Sequence, residues 1–252
     1  MSAAPKVVTS STLAKAEGVT KVFDTGKLEV KALRGVDVAI ERGDFVALVG
    51  PSGSGKTTLL NLFGALDQPT TGKITVLGRD LSTLSRGERA KLRLGSLGFV
   101  FQAYNLVPVL TAAENVEFVL ELQGATAKAR RSRALEVLKE LGLEDLADRR
   151  PNELSGGQQQ RVAVARAIAA RPELVLADEP TANLDGESAE RLMSMMRALH
   201  DEHGVTFVFS THDPRVIAHA TRVITLVDGR IDTDERTERA GRGASPNDDA
   251  SE

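Results

Sequence analysis

No cysteine occurs among the 252 residues, which excludes a disulfide framework, structural Cys-zinc sites and thiol catalysis, and fits a reducing compartment. Tryptophan is missing as well and aromatic residues make up only 4%. Leu, Val, Ile and Ala must therefore supply core volume that a domain of this size usually draws in part from rings. Charge of one sign is not in excess either, because 32 basic side chains stand against 35 acidic ones and leave a formal net charge of -3. That balance excludes the strongly basic coat of a nonspecific nucleic-acid binder, so no nucleic-acid partner is expected and an anionic ligand must be held locally. No stretch approaches the roughly 18 consecutive apolar residues of a membrane helix. Met1 to Ser11 carries one lysine and no apolar run, unlike a signal peptide. The expectation is a chain that neither crosses a membrane alone nor is secreted by that route.

What is present is an alternation of strand-length apolar runs with longer helical patterns, the signature of an α/β domain on a largely parallel sheet. Val36 to Ile40 alternates apolar and polar residues, as an antiparallel strand with one wet face does. Phe45 to Val49, Leu97 to Phe101, Leu174 to Ala177 and Phe207 to Phe209 are continuous apolar runs that predict buried strands. Helix starts are marked by capping-box spacing at Ser85/Glu88 and Thr111/Glu114, and by Asp213 followed by Pro214. Ala112 to Leu122, Lys128 to Leu141 and Gly157 to Ala170 carry helical periodicity. Asp228-Gly229 predicts a hairpin turn between Arg222 to Val227 and Arg230 to Ile231. From Asp232 onward the only apolar side chains are alanines, which predicts a disordered polar tail over 232–252. His200, His203 and His219 are expected on helix surfaces.

Gly50-Pro51-Ser52-Gly53-Ser54-Gly55-Lys56-Thr57 fits G-x-x-x-x-G-K-[ST] and lies between an apolar strand and a helix start, the context this phosphate-binding loop requires. Its glycines let backbone N–H groups turn toward phosphate oxygens, Lys56 bridges the outer phosphates, and Thr57 offers a hydroxyl to Mg²⁺. A near-neutral protein can thus bind a highly charged nucleotide through a nest of amides. The run Leu174 to Ala177 ends in Asp178 and Glu179, which alternate across the strand. Asp178 is therefore expected to face the metal through a water, and Glu179 the attacking water beyond the γ-phosphate. Ser155-Gly156-Gly157-Gln158 precedes a long alanine-rich helix and reads either as a second anion-binding helix start or as a well-capped helix and no more. His212 follows an apolar strand, at the strand-end position where ligands collect in α/β sheets.

In this order, and with Gln102 after the strand Gly98 to Phe101 and Asn183-Leu184-Asp185 after Glu179, the motifs closely resemble the nucleotide-binding subunit of ATP-binding-cassette transporters over about Leu13 to Ile231. The resemblance implies a P-loop NTPase cassette of class α/β, with a mainly parallel RecA-like core sheet, an antiparallel β subdomain and a helical subdomain at about 103–154. Residues 12–231 form the nucleotide-binding domain and 1–11 a flexible N-terminus. It implies ATP and Mg²⁺ as cofactors and a homodimer with ATP at the interface, between Gly50 to Thr58 of one copy and Ser155, Gly156, Gly157 and Gln158 of the other. Gln102 then reaches Mg²⁺ together with Thr57 and Asp178, Asp185 connects the two sites, and His212 contacts the γ-phosphate. Phe23 stands where the family stacks an aromatic on adenine. Glu179, His212, Gln102 and Lys56 form the catalytic set, and intact Glu179 and signature residues imply an active ATPase.

Leu97 to Val116 looks like the lipoprotein-release (Lol) and macrolide-exporter (Mac) group, which includes a cell-division relative. That likeness implies a separate integral membrane permease docking near Tyr104 to Leu110, and a cytoplasmic location on the inner face of the membrane. The apolar residues of this loop either receive that partner or pack back on the helical subdomain. A regulator of the cell-division type is the alternative function. A soluble cassette protein of DNA repair or translation fits less well, because such chains carry two cassettes or long coiled coils.

Overall fold

A computed structural model describes residues 11–24, 26 and 29–237. Its central layer is a six-stranded sheet in the order β10-β9-β3-β8-β7-β6. These strands are β3 (Phe45–Val49), β6 (Leu97–Val100), β7 (Leu174–Asp178), β8 (Thr206–Ser210), β9 (Arg222–Val227) and β10 (Arg230–Arg236). All neighbours pair in parallel except β9 and β10. The five parallel strands need covers on both faces, and the alternation of side chains sorts them into two cores. Phe45, Val175, Ala177, Phe207 and Phe209 point to one; Val46, Leu48, Leu174, Leu176 and Val208 point to the other.

The first core is roofed by the helical elements α3 (Ala112–Leu122), α4 (Ala127–Glu140), α5 (Gly156–Ala169) and α6 (Gly186–His203). The second is closed by α1 (Lys56–Phe63), α2 (Arg86–Ser96) and a four-stranded antiparallel sheet ordered β2-β1-β4-β5. That sheet comprises β1 (Thr12–Asp24), β2 (Glu29–Glu41), β4 (Thr71–Val76) and β5 (Arg79–Asp80). Scarce rings are concentrated where they fill most volume: Phe45, Phe207 and Phe209 pack with centroids 4.7 to 5.6 Å apart at the sheet centre. His200 joins them edge-on at 5.2 Å from Phe45, so it supports the core instead of decorating the surface.

The capping boxes expected at Ser85/Glu88 and Thr111/Glu114 both form. Asp213 caps α7 (Pro214–His219) through its carboxylate. Asp228 and Gly229 make the β9–β10 turn with φ of 48° and 75°, the left-handed pair such a turn demands. The polar tail expected from Asp232 requires correction, because β10 continues to Arg236. Ladder bonds to β9 order it, together with ion pairs that join Arg222 to Asp234 at 2.6 Å and Arg236 to the buried Asp44 at 3.0 Å. Pairing replaces the apolar burial that this segment lacks. The remainder of that expected tail, 238–252, and residues 1–10 of the expected flexible N-terminus lie outside the described residues.

Candidate functional site

The loop from Gly50 to Gly55 joins β3 to α1, and two of its glycines are dictated by space. A Cβ on Gly50 would stand 2.0 Å from the carbonyl oxygen of Leu226, and one on Gly55 would stand 2.5 Å from that of Ala32. Both have positive φ, 145° and 105°, a region that side-chain-bearing residues rarely enter. The loop is thus seated against the β9–β10 hairpin on one side and β2 on the other. Gly229 N–H donates to Ser54 O at 3.0 Å and Arg34 N–H donates to Gly229 O at 2.8 Å, which ties the three segments together. Gly55 also occupies the N-cap of α1, so no side chain takes up the first-turn amides and they stay available to an anion.

Lys56 is buried and its Nζ donates to the carbonyls of Gly50 and Pro51 at 2.8 and 3.0 Å. Thr57 Oγ1 donates to Asp178 at 3.0 Å. Its only proton being committed there, the hydroxyl oxygen turns its lone pairs outward as an acceptor. Thr57, Asp178 and Gln102 supply oxygen donors with a single carboxylate, a set suited to Mg²⁺ completed by phosphate and water, as that cation requires few protein ligands. Among the described residues no cluster of three or more His, Cys, Asp or Glu side chains offers an alternative all-protein metal cage.

Gly50 to Thr58 open on a cavity of about 670 Å³ that is also lined by Phe23, Gln102, Glu179 and His212. Phe23 is 41% exposed at its rim, with Lys21 Nζ 4.9 Å from the ring centroid. One hydrogen bond of 2.9 Å links His212 Nδ1 to Glu179 Oε1, while Glu179 Oε2 is buried with no partner. Glu179 has φ of 46°: the backbone is strained at the carboxylate where the strand ends, a position where strain often marks function.

Two features escape a reading of the sequence. Asp213 caps α7, and its other oxygen accepts from the hydroxyl of buried Thr181 at 2.7 Å, while Arg215 clamps both oxygens. Burial opposes the charge, yet the bonds from Arg215 and Thr181 prevail and hold the carboxyl at about 2. This knot fastens the segment after Glu179 to the segment after His212. The Asp-Pro pair signalled the cap, and nothing in the spacing signalled the second oxygen. Likewise Arg166 on α5 donates to the carbonyls of Tyr104, at 2.9 Å, and Asn105. Both residues are left-handed, with φ of 57° and 51°. Asn183 Nδ2 holds Gln102 O at 2.9 Å, so the Gln102 loop is gripped from two sides.

Ser155, Gly156, Gly157, Gln158 and Asp185 do not line this cavity. Ser155 and Gln158 close a capping box at the start of α5, and Asp185 caps α6 while accepting from Ser188 Oγ at 2.7 Å. Gly156 and Gly157 keep clearance for Tyr104 and Ser188: a Cβ on either glycine would come within 2.9 and 3.3 Å of their hydroxyl oxygens. Within Tyr104 to Leu110, Asn115 laces the backbone by bonding Val107 N–H and the Val107 and Leu110 carbonyls. Leu106 packs inward while Val109 is 72% exposed, so this segment partly packs back and partly faces out.

Residues 33–182 match the family model described as ABC transporter. The chain is 45% identical, over 88% of its length and 96% of the relative's, to the ATP-binding protein MJ0796 of Methanocaldococcus jannaschii, an uncharacterized ABC transporter component. It is 46% identical over 88% of its length to the lipoprotein-releasing system ATP-binding protein LolD 1 of Caulobacter vibrioides, of which it covers 95%. Against the macrolide export ATP-binding/permease protein MacB 2 of Aeromonas hydrophila identity is 43%, and the chain spans 36% of that longer protein. A solved dimeric structure of MJ0796 in a post-hydrolysis state, bound to ADP and Pi, superposes with a TM-score of 0.83 over 89% of this chain and 98% of that one, at 44% identity. The seated glycine loop, the paired strand-end carboxylates and these relatives lead to one conclusion: the chain belongs to the ABC transporter family, as an ATP-binding and ATP-hydrolysing cassette of the Lol/Mac type.

Proposed function

We propose that two copies of this chain close head to tail on ATP, the phosphate loop of each facing Ser155, Gly156, Gly157 and Gln158 of the other, and drive a separate permease in lipoprotein release or macrolide-like export. The separation of the signature from the cavity supports this reading, because the phosphate loop of one chain is not lined by that chain's own signature residues. Gly50 to Thr58 hold the phosphates, Phe23 stacks on the base, and Lys56 leaves the Gly50 and Pro51 carbonyls for the outer phosphates. Mg²⁺, when bound by Thr57, Gln102 and, through water, Asp178, neutralises charge on the phosphate oxygens. Asp185 lies at the start of α6 beside the signature, where it can report closure to the other site.

Glu179 carries the chemistry. With Oε1 held by His212, the unpartnered Oε2 is oriented to accept a proton from the attacking water, and the second nitrogen of the exposed imidazole is left for the γ-phosphate. The loss of the γ-phosphoryl bridge then parts the two copies, which is the stroke delivered to the permease. The cassette works in the cytoplasm, peripheral to the inner face of the membrane through that partner; no helix among the described residues is long and apolar enough to cross a bilayer.

The observation carrying the assignment is that Glu179 lines the cavity of the phosphate loop with one carboxylate oxygen bonded to His212 and the other unpartnered. Glu179→Gln is expected to keep ATP binding, to lower turnover roughly 10²-fold or more, and to trap an ATP-bound dimer visible by size-exclusion chromatography. Hydrolysis at the parental rate would remove Glu179 from the role of base.

A further inference from the structure

Lys21 and Phe23 both belong to β1, and the ammonium of Lys21 stands 4.9 Å from the centroid of the Phe23 ring. Phe23 lines the nucleotide cavity and Lys21 does not, so the cation sits behind the ring and leaves the other face to the cavity. The Lys21 side chain is only 13% exposed, unlike an ordinary surface lysine. Its Nζ donates to the Asp67 carboxylate at 2.7 Å and to the Gln68 carbonyl at 2.9 Å. The turn bearing these acceptors is itself laced to β1: Val22 N–H donates to Thr70 Oγ1 at 2.9 Å, and Thr70 N–H to Thr20 O at 2.8 Å. Asp67 follows closely on α1, so the same contacts tie the ring to the helix that begins at the phosphate loop.

A cation this close to an aromatic face is attracted by the ring quadrupole, most strongly where water is kept away. The ring is thereby held in one orientation, because turning aside forfeits the attraction. Its electron density is also drawn toward the cation, and the opposite face becomes less negative and repels the π-cloud of a stacked base less. A base that is rich in electrons and wide in area gains most from such a platform, and adenine exceeds uracil on both counts. The phosphates gain little, because the Lys21 charge is neutralised by Asp67 outside the cavity.

We infer that Lys21 determines base specificity: fixed on Asp67 and Gln68, it holds and polarises Phe23 from behind so that the cavity favours adenine over a pyrimidine. The inference rests on the stacking of Phe23 on the base proposed above and names the residue that tunes it.

The test measures displacement of a fluorescent ATP from the full chain by ATP, by UTP and by inorganic tripolyphosphate, which has no base. Lys21→Met is expected to weaken ATP roughly threefold, to weaken UTP less, and to leave tripolyphosphate unchanged. Lys21→Gln, which keeps a polar donor and carries no charge, is expected to match Lys21→Met. Lys21→Arg restores a cation and is expected to match the parent. In a Phe23→Ala background Lys21→Met is expected to change nothing further, since the ring it acts through is gone. An equal loss for ATP and tripolyphosphate overturns the inference by placing the effect on the phosphates. Parental affinity in Lys21→Gln overturns it because the charge is then idle, and an equal loss for ATP and UTP because no base is then selected. Phe23→Ala alone separates the two readings: if it weakens ATP and Lys21→Met does not, only the inference fails; if it leaves ATP unchanged, the stacking fails and the inference with it.

Discussion

Asp213→Asn isolates the knot that fastens the two strand ends of the catalytic cavity. Asp213 is 9% exposed and sits at about 2 against an ordinary 3.8. Its folded value is depressed, so the stabilisation is present above the unfolded value and is lost as pH falls through the folded one. The difference corresponds to about 2 kcal/mol at pH 7 and about 1 kcal/mol at pH 3. Urea unfolding of parent and variant from pH 7 down to pH 3 should therefore show a gap that narrows by roughly half. The variant should also turn over more slowly, since Thr181 and His212 lose their common anchor while the phosphate loop is untouched. An unfolding gap equal at both pH values, or below about 0.5 kcal/mol at pH 7, would refute the assignment of the stabilisation to the Asp213 charge.

Three further outcomes follow from the geometry. Gly50→Ala places a methyl 2.0 Å from the Leu226 carbonyl oxygen and should abolish nucleotide binding in a fluorescent-ATP titration while lowering the melting temperature, because backbone and not a flexible side chain must move. Arg166→Ala frees the Tyr104 and Asn105 carbonyls, and should lower kcat roughly tenfold with KM for ATP within about twofold, the pattern of a mispositioned Gln102 and not of lost binding. Phe23→Ala should weaken ATP binding roughly fivefold, whereas Phe23→Tyr should leave it unchanged by calorimetry, since stacking needs only the ring face.

Elements whose pattern is local were legible in the residues. The buried strands, the capping boxes at Ser85 and Thr111 and the hairpin at Asp228-Gly229 form where spacing puts them, because each depends on neighbours a few residues away. Strand β1 was not legible, although it is 13 residues long. Its register shifts between Ala16 and Val19, where Gly18 has φ of 57°, and a bulge there breaks the two-residue alternation by which a strand is read. The segment after Asp232 has little hydrophobicity to mark it as a strand, and Asp234 and Arg236 are held instead by ion pairs to Arg222 of β9 and to Asp44 just before β3. The members of the nucleotide cavity were legible as types at fixed spacing. Arg166 and the second bond of Asp213 were not, since a long-range bond to a backbone carbonyl or a lone hydroxyl leaves no spacing behind.

The seating of the phosphate loop also fixes when the site can come into being. Gly50 rests on Leu226 and Ser54 accepts from Gly229, so a loop made early by the ribosome waits for the hairpin made among the last described residues. A nascent or truncated chain ending before that hairpin has the glycine motif without its backing. On this geometry ATP binding is expected to follow completion of the hairpin rather than to template the early stages of folding.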